Sequence, residues 1–188
     1  MINENILTIT EESLLKELEE NKIDFDSLNE LLVKTLAQNN MKVATAESCT
    51  GGLISKKITE VSGSSAVFDC GVCSYSNEIK NKVLGVEQTV LDTLGAVSAE
   101  TSKQMAKGVR LLANSDIAVS TTGIAGPTGG TDTKPVGLVY IGVSTPECDF
   151  AVKTLLAENK NNNRERVREL ATACAIYLVY KNICNKKL

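Results

Sequence analysis

The chain has 188 residues, a formal net charge of −3, a hydrophobic fraction of 43% and no histidine. This length predicts one domain of ordinary size whose core needs no disulfide bonds. The slightly acidic balance gives no support for nucleic-acid binding. The lack of histidine excludes a Ser-His-Asp triad, a Cys-His dyad and a histidine-ligated catalytic zinc. A hydrolase made from this chain must therefore use Lys, Asp, Glu or Tyr as its base.

Helix and strand patterns alternate along the chain. A short acidic helix is predicted at 11–20 and a longer one at 27–39, where Ser27 and Glu30 match a capping box. The remaining predicted elements are strands at 42–47, 71–76, 116–121, 136–144 and 150–157, and helices at 53–60, 77–84 (capped by Asn77), 88–94, 99–113 (capped by Ser98) and 164–182. This alternation predicts an α/β layered domain with a mixed β-sheet.

The amino-terminal residues bear on two expectations, the cellular compartment of the protein and the start of its packed domain. Residues 1–10 lack a signal-peptide pattern, and no window reaches the roughly 18 apolar residues that a membrane span needs. We therefore expect a cytoplasmic protein with no membrane partner. Residues 1–26 are expected to form a helical extension, and the packed domain, 27–188, is expected to begin near Ser27.

The six cysteines are expected to be reduced thiols in that compartment. Cys70 and Cys73 form a C-x-x-C, which is a spacing used in metal and redox sites. No second cysteine pair accompanies it, so we expect structural thiols and no metal site.

The first candidate for chemistry is the segment AESCTGG at 46–52, where a predicted strand runs into a glycine-rich turn and then a helix. Such a turn exposes a side chain such as Ser48 at the sheet edge. The glycines let a substrate approach the backbone, and the helix N-terminus offers free N–H groups. The alternative is that Ser48 and Thr50 only cap the helix.

The second candidate is the segment SYSNEIK at 74–80. Tyr75 lies at a predicted strand end and Lys80 one turn into the next helix, so both can face one cleft. A lysine whose pKa is lowered by burial or by neighbouring positive charge can act as a base toward a serine. The alternative is an ordinary surface helix carrying Lys80 and Lys82.

Two further segments are candidates for ligand binding. A long glycine-rich loop, 122–130, follows a buried strand and can present backbone N–H groups, although a flexible connector is the alternative. Arg164 and Arg168 begin the last helix and suit a phosphate, although an exposed charged face is the alternative.

Six segments carry a resemblance to a known family. They are TAESCTGG (45–52), GSS (63–65), YSNEIK (75–80), LGAVS (94–98), TGIAGPTGG (122–130) and KPVGLVYIG (134–142). In this order, over about residues 28–182, they are similar to the CinA C-terminal family, including its stand-alone nicotinamide-nucleotide amidases. The resemblance implies a three-layer α/β/α domain and a metal-free, cofactor-free amidase that acts as a homodimer.

The same resemblance implies residue roles. Ser48 would be the nucleophile, Lys80 the general base, and Tyr75 a group that assists proton transfer or holds the lysine. The reaction would convert nicotinamide mononucleotide to nicotinate mononucleotide and ammonia. The backbone around Cys49, Thr50, Gly51 and Gly52 would hold the oxyanion. The substrate pocket would include Thr122, Gly123, Ile124, Ala125 and Gly126, and Arg164 or Arg168 would reach the phosphate.

Two departures from the family pattern limit what is carried over. Residues 1–26 cannot hold the large N-terminal domain of the longer family members, so its pyrophosphatase activity is not carried over. The family often has Gly-Asp before the first arginine, whereas Asn162-Asn163 stand here. This difference weakens the assignment of Arg164 and Arg168 to the phosphate.

Several alternatives stay open at this point. The chain could be a non-catalytic interaction module related to competence or DNA damage, or an amidase for another small amide. Cys49 is a rival nucleophile beside Ser48. Glu47 is either a carboxylate that holds Lys80 or a charge at the strand end.

Overall fold

A computed structural model describes residues 6–156 and 163–185. Its strands are β1 Thr8–Thr10, β2 Val43–Glu47, β3 Phe68–Cys73, β4 Ile117–Gly123, β5 Leu138–Ser144 and β6 Asp149–Leu155. Its α-helices are α1 Glu11–Glu20, α2 Leu28–Gln38, α3 Leu53–Thr59, α4 Asn77–Leu84, α5 Gln88–Thr93, α6 Ala99–Ala113 and α7 Arg164–Asn185.

The strands form one mixed sheet in the order β1-β6-β5-β4-β2-β3. Strands β4, β2 and β3 are parallel, β5 is antiparallel to both β4 and β6, and β1 is parallel to β6. The α/β class and the mixed sheet that the sequence predicts are therefore confirmed. Because β4, β2 and β3 run the same way, their carboxyl ends meet at one edge of the sheet, where ligands bind in open α/β sheets.

Helices cover both faces of the sheet, which confirms the three-layer α/β/α arrangement. On one face, small residues such as Ala44 and Ala46 of β2 pack against Met105 and Val109 of α6. The opposite face carries larger side chains such as Val43, and its helices are α1, α2, α3 and α7. Successive residues of a strand point to opposite faces, so β2 supplies side chains to both cores and is buried throughout.

The amino-terminal segment packs onto this domain. Strand β1 pairs with β6, and Leu14 and Leu18 of α1 are buried in the same core as α7. Ion pairs tie Glu11 to Arg166 and Glu17 to Lys181. Residues 8–20 thus pack on the sheet and on α7, and the domain boundary near Ser27 stays a prediction. The strand escapes sequence analysis because it has only three residues.

Local capping differs from prediction at two helices. The Ser27 hydroxyl donates to Asp24 at 2.7 Å and makes no cap bond, whereas the capping box lies at α1, between Thr10 and Ser13. Helix α4 is capped by Ser76, not Asn77. Ser98 caps α6 as predicted. The predicted strand at 71–76 is shifted, because β3 spans 68–73.

The C-x-x-C residues lie on β3 and do not converge. Cys70 is half-buried and Cys73 is exposed, and both are free thiols. Residues three apart on a strand point to opposite faces, so this pair has no shared ligand position. Within residues 6–156 and 163–185, no helix is long and apolar enough to cross a lipid bilayer. Part of the predicted loop 158–163, Asn162 and the Lys186-Lys187 tail lie outside the described residues.

Candidate active site

Ser48 follows β2 directly and lies at the sheet edge where the parallel strands end. Its backbone N–H donates to the Thr121 carbonyl at 2.9 Å, which continues the β2–β4 ladder by one residue. Gly51 and Gly52 then take positive φ angles of 60° and 93°, and α3 begins at Leu53. Glycine has no Cβ and adopts such angles at no steric cost, which explains the paired glycines of the turn.

Lys80 is the fourth residue of α4, and its side chain extends to Ser48. The helix lies close to the sheet edge because its N-cap, Ser76, comes three residues after the end of β3. The lysine side chain is 1% exposed. Its Nζ lies 3.1 Å from Ser48 Oγ and donates to the carbonyls of Ser74, at 2.7 Å, and Tyr75, at 3.2 Å. Burial lowers the pKa of the Lys80 amine from its ordinary value of 10.5.

Tyr75 contacts the lysine through its backbone carbonyl, not through its hydroxyl. Its side chain is 71% exposed, and the hydroxyl accepts a hydrogen bond from Arg164 at 3.4 Å. The ring therefore stands at the rim of the site. The predicted role of the hydroxyl in proton transfer stays a prediction.

Cys49, the rival nucleophile, is buried beside Ser48. Burial raises the pKa of its thiol to about 12. Because the thiolate is the reactive form of cysteine, this environment keeps Cys49 unreactive at neutral pH. The geometry favours Ser48.

Glu47 takes neither of the two roles left open by the sequence. Its side chain is fully buried, and its carboxylate accepts hydrogen bonds from the backbone N–H groups of Gly52, Ile54 and Ser55 and from the hydroxyls of Thr50 and Ser55. It therefore binds the first turn of α3. Thr50 is likewise buried, and its hydroxyl also contacts Thr121.

The two arginines of α7 have different partners. Arg164 donates to the Gly126 carbonyl at 2.8 Å and is exposed at the site. Arg168 instead grips the Thr50 carbonyl through Nε, at 3.1 Å, and Nη2, at 2.7 Å. Asn163, which replaces the aspartate of the family pattern, accepts from the Arg166 N–H and so caps α7.

A small cavity of about 190 Å³ lies next to Ser48 and Lys80. It is lined by Ser48, Cys49, Tyr75, Lys80, Ala96, Val97, Thr122, Gly123, Ala125 and Arg164. Of the predicted substrate-binding residues, Thr50, Gly51, Gly52, Ile124, Gly126 and Arg168 do not line it. Thr50 and Gly52 bond to Glu47, and Gly126 and Arg168 support the site through their bonds to Arg164 and Thr50.

Sequence reasoning missed two lining residues. Ala96 and Val97 belong to the LGAVS segment, which was noted as a motif without a role. The Ala96 carbonyl accepts from the Thr122 hydroxyl at 2.7 Å, and this bond joins the segment to the end of β4. Two apolar residues in a connecting loop have no catalytic or ligand-binding signature in the sequence. The LGAVS motif was therefore the only signal that could have indicated them.

Comparisons with known proteins identify the family of the chain. Residues 25–183 match the model of the CinA C-terminal domain. A relative from Caldanaerobacter subterraneus, named as competence-damage inducible, is 54% identical over 144 residues, which are 77% of this chain and 35% of the relative. A CinA-like protein from Shewanella pealeana is 45% identical over 160 residues, 85% of this chain and 37% of the relative. The chain thus spans little more than a third of the length of these two relatives.

Solved structures extend the likeness to the fold. The competence/damage inducible protein CihA from Agrobacterium tumefaciens has a TM-score of 0.78 at 36% identity, covering 82% of this chain and 93% of that one. A CinA superfamily protein from Klebsiella pneumoniae has a TM-score of 0.80 at 28% identity, covering 86% of this chain and 99% of that one. The resemblance stated from the motifs is confirmed, and the chain belongs to the CinA C-terminal domain family.

Proposed function

We propose that this chain is a serine amidohydrolase that converts nicotinamide mononucleotide to nicotinate mononucleotide and ammonia. The observation that carries the proposal is the buried amine of Lys80, 3.1 Å from Ser48 Oγ. This distance lies within the reach of roughly 2.6–3.2 Å that a general base needs. Groups with shifted pKa values cluster at functional sites, and a lysine with a lowered pKa beside a serine hydroxyl can serve as its base.

Lys80 Nζ donates to Ser48 Oγ and to the carbonyls of Ser74 and Tyr75, as an ammonium would, and the proposed base is the neutral form of this amine. A neutral amine has two N–H groups and one lone pair. The carbonyls of Ser74 and Tyr75 take the two N–H groups. The lone pair is then free to accept the Ser48 proton, as a general base requires.

The reaction follows from these positions. Ser48 Oγ attacks the carboxamide carbon while Lys80 takes the hydroxyl proton. The tetrahedral intermediate collapses with cleavage of the C–N bond, and Lys80 returns the proton to the leaving nitrogen, which departs as ammonia. Water, deprotonated by Lys80, then cleaves the acyl-enzyme, so that the carboxylate product leaves and Ser48 regains its proton.

The shape and charge of the cavity support a small amide that carries an anionic group. Ala96, Val97 and Ala125 contribute apolar side chains to its lining, which suit a flat ring. Arg164 stands at the same cavity and offers a guanidinium to a phosphate. The Tyr75 hydroxyl and the Gly126 carbonyl hold that guanidinium in place.

The test is an ammonia-release assay with nicotinamide mononucleotide as substrate. We expect the purified protein to release ammonia and nicotinate mononucleotide, with or without a chelator. Ser48→Ala should abolish release, and Lys80→Met should lower it by about 10²–10⁴-fold. Lys82→Met, on the exposed side of α4, is the matched control and should keep wild-type activity. A folded wild-type protein that releases no ammonia would overturn the substrate assignment.

Two further arms define the substrate and the assembly. Nicotinamide riboside lacks the phosphate, and we expect it to be a poorer substrate because Arg164 then has no anion to bind. The homodimer that the family resemblance implies is also proposed for this chain, and light scattering of the purified protein measures it.

A further inference from the structure

The helix that follows the nucleophile is capped from an unusual direction. Its N-cap position is Gly52, which has no side chain to bond the free N–H groups of α3. Glu47 supplies the missing cap from the end of β2, on the other side of Ser48. The carboxylate therefore joins the residue before the nucleophile to the helix after it.

This carboxylate holds several atoms at once. Three backbone N–H groups donate to it at 2.9, 3.0 and 2.8 Å, and two hydroxyls donate at 2.7 Å each. A simple N-cap side chain satisfies one or two N–H groups. The number of donors on Glu47 is greater than helix capping requires.

Arg168 binds the same turn as Glu47, but as a hydrogen-bond donor where Glu47 is an acceptor. Its guanidinium donates twice to the Thr50 carbonyl, while the Thr50 hydroxyl donates to Glu47. The carbonyl and the hydroxyl of one residue are thus fixed by two charged groups on different elements. The hydrogen bond from the Gly52 N–H to the Glu47 carboxylate spans residues 48–51, of which Ser48 is the first.

We propose that Glu47 and Arg168 are positioning residues for the Ser48 nucleophile. The inference rests on the proposed function, because it assigns to the two residues the task of holding Ser48 Oγ within reach of Lys80 Nζ. Neither residue bonds to Lys80 Nζ. They act through the backbone of the turn, and a misplacement of about 1 Å at a reacting atom costs on the order of 10²-fold in rate.

The test separates positioning from folding by counting active sites. The variants are Glu47→Gln, which keeps the shape but removes the charge, and Arg168→Lys, which keeps the charge but loses the fork. Glu60→Gln, at the far end of α3, and Arg166→Lys, two residues before Arg168, are the matched controls. A fluorophosphonate probe phosphonylates an activated serine with loss of fluoride, so it gives both the amount of reactive Ser48 and the rate constant of its reaction.

We expect both variants to keep a near wild-type amount of reactive Ser48 while the labelling rate constant and kcat fall by about 10-fold to 10²-fold. KM should change little, because neither side chain lines the cavity. The pH dependence of labelling, which reports Lys80, should keep its midpoint. The controls should label and turn over like the wild type.

The remaining outcomes either decide against the proposal or separate it from the substrate assignment. Unchanged rate constants in both variants overturn it, and so does a loss of reactive sites with an unchanged rate per site, since that marks a purely structural role. If Glu47→Gln does not fold, the half-buried Arg168→Lys decides alone. A wild type that is labelled but releases no ammonia removes the substrate assignment and leaves the positioning test standing. A wild type that does neither removes both proposals.

Discussion

Replacing the Lys80 amine with an apolar side chain of similar length (Lys80→Met) tests the proposed base directly. General bases contribute about 10²–10⁴-fold to rate, which corresponds to roughly 3–5 kcal/mol of transition-state stabilisation. We place Lys80→Met at the upper part of this range, because Lys80 Nζ is the amine in contact with Ser48 Oγ and the methionine that replaces it leaves no base there. The loss should fall on kcat, with KM little changed, because the base acts in the transition state.

The wild-type pH profile supplies the second part of this prediction. Only the neutral amine accepts the serine proton, so kcat/KM should rise with pH and level off above the Lys80 pKa. Since burial lowers that pKa from 10.5, the midpoint of the rise should lie below pH 10.5. The measurement is kcat/KM for ammonia release across the pH range in which the protein stays folded.

Stability should report the same lysine. Its pKa is lowered only in the folded state, so between that lowered value and 10.5 the unfolded chain binds a proton that the folded chain does not. The free energy of unfolding therefore rises with pH across this interval, and Lys80→Met should remove the increment. Denaturant titrations of both proteins at several pH values measure this increment.

Two kinetic results would refute the assignment of Lys80 as the base. One is a kcat/KM profile that rises only at or above pH 10.5, and the other is a near wild-type kcat in Lys80→Met.

Three other outcomes are expected. Cys49→Ala should keep most of the activity in the ammonia assay, because the raised pKa of about 12 leaves its thiol protonated; loss of labelling in this variant but not in Ser48→Ala would contradict it. Arg164→Gln should raise KM for the mononucleotide far more than for the riboside, and equal effects on both would deny a phosphate role. Leu14→Ala should cost about 2–5 kcal/mol of unfolding free energy in denaturant titration, whereas Leu15→Ala, 39% exposed, should cost much less.

The sequence predicts most of the fold, since alternating patterns of long elements are strong local evidence. Helix α6 with its Ser98 cap and the buried strands β2 and β4 lie close to where the pattern puts them. The errors lie where non-local contacts decide the structure. Strand β1 forms because its backbone pairs with the edge of β6, and its three residues carry no pattern that predicts this pairing.

The site could be predicted as a set of segments but not as a set of contacts. The motifs place Ser48 and Lys80 on neighbouring turns, and the two side chains do meet at 3.1 Å. Which arginine faces the cavity depends on the packing of α7 against α3. That packing sends Arg168 to the Thr50 carbonyl and leaves Arg164 beside the cavity. Residues four apart share one helix face, so spacing alone could not separate them.

The partners of Glu47 explain why a buried carboxylate so close to the nucleophile is compatible with a lowered pKa of Lys80. A carboxylate paired with Lys80 would favour the ammonium and raise the pKa of the amine. Glu47 instead directs both carboxylate oxygens to α3 and the Thr50 hydroxyl. Lys80 meets only uncharged oxygens, those of Ser74, Tyr75 and Ser48. Among the described residues, no ion pair of Lys80 offsets the burial of the amine, and that burial is the main cause of its lowered pKa.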